Sequence, residues 1–405
     1  MFFKSFKKEY GENVFVFYIG SESVSGAIAR FSSSKNPEPI FSVRKSLPNS
    51  KKTNEKDYSR LLYRLISDVS RELIDRGIAG SDISLRRLKR PKKAYCILSD
   101  PWCNSTTKII TEKKSKPFTV TSSFLRSLLH NQELSFGEKN MPFLKSTPDI
   151  KDVEIVERKI ISTELNGYRT ENPYEKKASE LKMATMVSIM SRDMASEIRD
   201  IMTSILHVEH IELHSFLFMS YTNMRLLFNA DVDYIFITVG KDRTEQVFVR
   251  GGSVINVTSF SVGRNTLITD IQKQTGGKID PVVAVLMLAE ESDANEHHLE
   301  RTFKGIASQS AGKWQNSFKT ILQDFSKRHF LPRQVFLVAE QDIASSLKSL
   351  IKKVPVSELI LKSTPFNVTV LDDALLRSKG FDMGEKNDHF LFLSLIFLNS
   401  IRGKG

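Results

Sequence analysis

The sequence contains one unit twice, and that duplication limits what the chain can fold into. "FVFYIGSESVSGAIARF", Phe15 to Phe31, reads as a strand, Ile-Gly, a short polar turn and a second strand; a third strand, "IFSVRKSL", starts at Ile40. "ITVGKDRTEQVFVRGGSVINV", Ile237 to Val257, repeats the order, with Gly-Gly in place of the longer second turn. Gly20 precedes Ala27 by the same seven residues that separate Gly240 from Val247. Gly-Gly between β-rich runs signals a tight hairpin, and matched units of this length indicate an internal repeat. Helical spacing follows each unit. Leu61, Leu62, Leu65, Ile66, Val69 and Leu73 mark the first helix, and "TLITDIQKQTG" the next after the second unit. Strand triplets alternating with helices predict an α/β protein in two similar halves.

At 405 residues the chain exceeds one ordinary core, so several subdomains are expected. A net charge of +12 favours anionic partners. The densest basic run, "RRLKRPKK" (Arg86 to Lys93), has no interleaved aromatic and reads as a solvated loop, so nucleic acid is not the expected partner. Two cysteines, Cys96 and Cys103, fit no zinc pattern and point to a reducing, cytoplasmic setting. His207, His210 and His214 cross a helix end into a strand and have no accompanying carboxylate motif, so no metal site is expected there. "FLFLSLIFLNSI" (Phe390 to Ile401) is apolar all round yet too short to span a bilayer, and reads as a buried helix. "MFFKSFKK" pairs Phe2, Phe3 and Phe6 with Lys4, Lys7 and Lys8, an expected weak membrane contact.

Between the halves, the helix marked by Phe124, Leu125, Leu128 and Leu129, the strands "VEIVERKIISTELNGY" and "MATMVSIM", the helix bearing Met194, Ile198, Ile201, Met202 and Ile205, and the strand "VEHIELHS" read as an inserted α+β unit. The expected division is 1–117 first lobe, 118–215 insert, 216–230 return to the first lobe, 231–385 second lobe and 386–405 a C-terminal helix.

These motifs together resemble the actin-like ATPase superfamily, and within it the FtsA/PilM branch of bacterial scaffold proteins. "YIGSESVSG" is similar to the first phosphate loop of that family, and "TVGKDRTE" to the second. "GGSVINVTSFSVGRNTLITDI" resembles the hairpin and helix that follow in FtsA, and "NGYRTENPYEKKASEL" (Asn166 to Leu181) the middle of the inserted subdomain. The resemblance implies an actin-like, duplicated ribonuclease-H-like fold of two lobes with an inserted SHS2-type subdomain. It implies ATP and magnesium as cofactors. As partners it implies the tail of a tubulin-like division protein or a segment of a pilus-assembly membrane protein, together with self-association on the inner face of the cell membrane.

The departures weaken the nucleotide chemistry. Tyr18 and Thr238 stand where the family's loops open with an acid. Lys241 and Asp242 replace glycines that let backbone N–H groups approach phosphates. Ala339, Glu340 and Gln341 replace the glycines beside the adenosine. Gly20, Ser21, Gly240, Lys241, Thr244 and Glu245 remain as a degenerate nucleotide site, with Lys241 read as an exposed turn lysine. Expected is an FtsA-like division scaffold that binds ATP poorly or not at all, with no catalytic residue and no metal ligand. A PilM-like pilus scaffold, or an active ATPase using Asp242, Glu245 or Glu22 as relocated acids, are the open alternatives.

Overall fold

The computed structural model describes residues 11–32, 35–47, 55–80, 89–129, 152–228, 232–277, 279–289, 298–355, 364–381 and 388–402. The phenylalanines and lysines of the first eight residues lie outside them. In the first lobe, β1 (Glu12–Ile19), β2 (Ser23–Ser32), β3 (Lys35–Ser46), β4 (Lys93–Leu98) and β9 (His210–Ser215) form a sheet in the order β3-β2-β1-β4-β9. In the second, β10 (Tyr234–Val239), β11 (Thr244–Arg250), β12 (Ser253–Phe260), β13 (Gln334–Val338) and β14 (Asn367–Val370) repeat it as β12-β11-β10-β13-β14. The registers match as well: Val16 faces Ala27, and Phe236 faces Val247. The duplicated unit of the sequence is thus a duplicated sheet.

Each sheet buries both faces. In the first lobe, Phe15, Phe17 and Ile19 pack on Leu62, Ile66 and Val69 of α1 (Glu55–Glu72) and on Ala195, Ile198 and Met202 of α3 (Arg192–Leu206). In the second, Ile235 and Ile237 pack among α5 (Arg264–Gln274), α6 (Pro281–Ala289), α7 (His298–Ser326) and α8 (Gln341–Lys352). The two remaining sheet faces share one core. Val14, Val16 and Tyr18 meet Tyr234, Phe236 and Val247 there through α4 (Phe216–Leu227), α9 (Asp373–Ser378) and α10 (His389–Arg402). Helix α10 is apolar on every side because it lies between two sheets, and it is buried from His389 to Leu398. No helix among the described residues is long and apolar enough to cross a membrane.

The insert differs from its expected bounds at both ends. Its sheet is β5-β8-β6-β7, formed by β5 (Asn104–Thr119), β8 (Lys177–Ser191), β6 (Val153–Leu165) and β7 (Tyr168–Arg169), with helical residues 122–129, here α2, packed on it. Strand β5 therefore belongs to the insert, although the expected boundary at 118 assigns most of it to the first lobe. Conversely, β9 pairs in parallel with β4, from Lys93↔His210 to Leu98↔Ser215. Helix α3 puts its apolar face into the first-lobe core rather than over the insert. A long amphipathic helix can cover either sheet; α1 and β4, which precede the insert, decide which.

Candidate functional site

Both Gly turns and the end of β13 converge on a cavity of about 170 Å³ between the lobes. Its lining includes Tyr18, Gly20, Ser21, Thr238, Gly240, Lys241, Glu245 and Glu340. The structure thus brings the sequence-derived site residues together, apart from Thr244, which is buried behind the wall. There its hydroxyl donates to the Val262 carbonyl (2.7 Å) and accepts from the Trp314 indole (2.9 Å).

At the first turn, Tyr18 folds its ring beneath the backbone. A Cβ on Gly20 would stand 2.8 Å from that ring, so this glycine makes room for an aromatic side chain. The ring stacks on Phe390 of α10 at 4.7 Å and 10° and tilts against Phe216 of α4 at 5.6 Å. Burial pushes the Tyr18 hydroxyl pKa up. The turn's carbonyls are also engaged, Gly20 accepting from the Trp102 indole at 2.8 Å and Ser21 from the Tyr58 hydroxyl.

The second turn is locked to the first, with the Lys241 amide donating to the Ser21 hydroxyl at 2.9 Å. A Cβ on Gly240 would come within 2.8 Å of that hydroxyl. The carbonyls of Gly240 and Lys241 accept from the amides of Arg264 (2.9 Å) and Asn265 (2.7 Å). The first amides of α5, which a helix offers to anions, are thus used by the protein's own loop. Gly263 permits this, since a Cβ there would lie 2.4 Å from the Gly240 carbonyl. Lys241 is 6% exposed, with its ammonium 5.0 Å from the centre of the Tyr58 ring. This corrects the expected exposed turn lysine: Tyr58, which itself stacks on Trp102 at 5.0 Å, gives the cation an aromatic face inside the cleft.

Ion pairs join the lobes. Arg44 of β3 reaches Glu340 (2.5 Å) after β13, and Asp388 (3.3 Å) at the start of α10. Arg264 of α5 holds Asp342 and lies 3.4 Å from Glu22 of the first turn. The Ala339 carbonyl accepts from Nε2 of His389 at 3.0 Å. Burial, followed by the nearby Glu340 charge, raises Glu22 to about 7. Burial, followed by Asp100, raises Glu245 to about 8. Among the described residues, no group of three or more His, Cys, Asp or Glu side chains could hold a metal.

Tyr58, Trp102, Arg44, Arg264 and Asp388 are site residues that the sequence reading missed. They come from separate elements, and no spacing rule connects them. A second buried cluster lies where the insert meets the first lobe. Glu157 of β6 accepts from the Ser215 amide (3.0 Å), the Ser215 hydroxyl (2.6 Å) and Nδ1 of His214 (2.9 Å). Of the three candidate histidines, His214 therefore serves a carboxylate, while His207 ends α3 in the left-handed region at φ 51°.

No family model and no curated protein matches the sequence. Among solved structures, the chain is similar to a chain of the PilM-PilN type IV pilus biogenesis complex, with TM-score 0.57 and 13% identity, over 97% of this chain and 98% of that one. The fold is actin-like. Two further neighbours have lower TM-scores. A Bacteroides thetaiotaomicron protein described as having an actin-like ATPase fold gives 0.39 at 8% identity, over 93% of this chain and 99% of that one. A diol dehydratase-reactivating factor gives 0.46 at 9% identity, over 97% and 100%. In this actin-like frame the cavity occupies the cleft between the lobes, and Tyr18, Lys241 and Glu340 stand at its three walls.

Proposed function

We propose that this chain is a non-enzymatic actin-fold scaffold whose lobes are held together by its own side chains rather than by a nucleotide. The observation that carries the reading is the furnished cleft. Its remaining volume of about 170 Å³ falls short of the roughly 300 Å³ at which small-molecule sites begin. Tyr18 occupies the room below the first turn, and the anion-seeking amides of α5 are taken. Two of the relocated acids of an active ATPase are already engaged, Glu22 by Arg264 and Asp242 by the Asn265 side-chain amide.

The partner we infer is a protein of the membrane-bound machinery, captured by the insert and the neighbouring first lobe on the inner face of the membrane. Similarity to a chain of the PilM-PilN complex supports a scaffold reading at the level of fold. The tail of a tubulin-like division protein and the segment of a pilus-assembly membrane protein are the two candidates, and pull-downs with both peptides decide between them. Calorimetric titration with Mg-ATP tests the scaffold reading itself. The expected result is no heat at micromolar protein; tight, magnesium-dependent binding would overturn it.

A further inference from the structure

We propose that the end of the second lobe opposite the cleft, with the β6–β7 turn of the insert that rests on it, is a docking surface for an anionic lipid bilayer. The two most exposed large apolar side chains among the described residues are Phe330, at 83%, and Tyr168, at 80%. They are far apart in sequence, yet a chain of contacts joins them. Tyr168 follows the Asn166-Gly167 turn between β6 and β7, and the next residue, Arg169, donates to the carbonyls of Gly251 (2.6 Å) and Gly252 (3.3 Å). These glycines form the β11–β12 turn, where both adopt positive φ. The residue before them, Arg250, places its guanidinium 5.9 Å from the centre of the Phe330 ring. Two hairpin turns and the loop before β13 thus present aromatic tips at one end of the molecule.

The charge around the tips is positive. Arg169, Lys182, Arg250, Lys327 and Arg328 outnumber the acids beside them: Asp233, paired with Arg250, Asp324, paired with Lys327, Glu164, cross-strand from Arg169 and paired with Lys182, and the exposed Glu171. Aromatic rings beside long cationic side chains are the composition of interfacial membrane contacts, where the ring enters the headgroup boundary and the cations meet anionic lipid. A protein partner would be expected to bury such rings in a pocket, whereas these rings stand on turn tips. A nucleic acid would stack bases on the ring face, and on Phe330 the guanidinium of Arg250 covers one face. A fluid bilayer needs no matching shape, which suits this end of the molecule.

The test places a reporter at the tip. Trp102 and Trp314 are buried, so in the full chain Phe330→Trp adds one exposed indole at a position where packing does not constrain the side chain. With phosphatidylglycerol vesicles carrying brominated acyl chains, its emission is expected to shift to the blue and be quenched; with phosphatidylcholine vesicles it is expected to stay unchanged. Adding Lys327→Gln and Arg328→Gln is expected to weaken vesicle partitioning by about fivefold for each cation removed. Sedimentation with anionic vesicles without quenching would place the membrane contact elsewhere and overturn the proposal. So would an indole that responds to single-stranded DNA or an acidic peptide but not to vesicles.

Discussion

Tyr18 lies flat on Phe390, with ring centroids 4.7 Å apart and planes 10° from parallel. One ring comes from the first strand and the other from the last helix, so the stack closes the chain on itself at the cleft. Removing the Tyr18 ring by Tyr18→Ala is expected to cost about 3–5 kcal/mol, the range for a deleted core aromatic. Tyr18→Phe loses only a 3.5 Å contact with Ser99 and is expected to cost about 1 kcal/mol or less. Urea unfolding of the two variants checks the contrast, and equal losses would contradict a packing role for the ring.

The Arg44–Glu340 pair spans the lobes with both side chains partly buried. A double-mutant cycle with Arg44→Ala and Glu340→Ala is expected to give a coupling energy of about 0.5–3 kcal/mol. Because Arg44 also reaches Asp388, Arg44→Ala is expected to be the costlier single change. Additive effects would show that the pair does not hold the lobes.

Stability is expected to fall as pH rises from about 5 to 8.5. Glu22 and Glu245 are raised to about 7 and about 8 from an ordinary 4.5. Each therefore binds its proton more tightly folded than unfolded. By linkage their contribution is fully present below about 4.5 and is lost as pH climbs through 7 and 8. Glu72 and Glu154, which ion pairs hold below their usual value, act in the opposite direction only at more acid pH. Melting temperatures across this window test the expectation, and Glu245→Gln should flatten the upper part of the slope.

Glu157→Ala should loosen the insert from the body. It strands His214 Nδ1 and the Ser215 amide, while the Ser215 hydroxyl keeps Ser188 and the Phe218 amide, and a buried group left without its partner costs about 1–3 kcal/mol. Faster amide exchange confined to β6 and β9 is the expected signature, while uniform exchange across both lobes would indicate global destabilisation instead.

The duplicated sheets were readable because a strand–Gly–strand unit leaves both alternation and a fixed glycine spacing. The buried C-terminal helix was readable because a helix apolar on every side yet too short to span a bilayer has to lie between two layers. The insert's ends were not. "NSTTKIITEKKSKPFT" of β5 has few apolar residues, since only Ser105 of the strand is buried, and Ala195, Ile198 and Met202 of α3 fit either of two sheets. At the cleft, the sequence marks Tyr18 and Glu340 as departures from the motifs it resembles, but not the partners they find. Arg44 and Glu340 are 296 positions apart, and no local pattern relates them.

Helix α10 has a consequence for biosynthesis. Its residues His389 to Leu398 fill the core shared by both lobes, although they are translated after every strand of either sheet. During synthesis each lobe can assemble its sheet, but the seam between them stays open until these residues leave the ribosome. A transcript cut short before His389 would therefore yield two sheets with exposed inner faces, a substrate for proteolysis rather than a competitor for the partner.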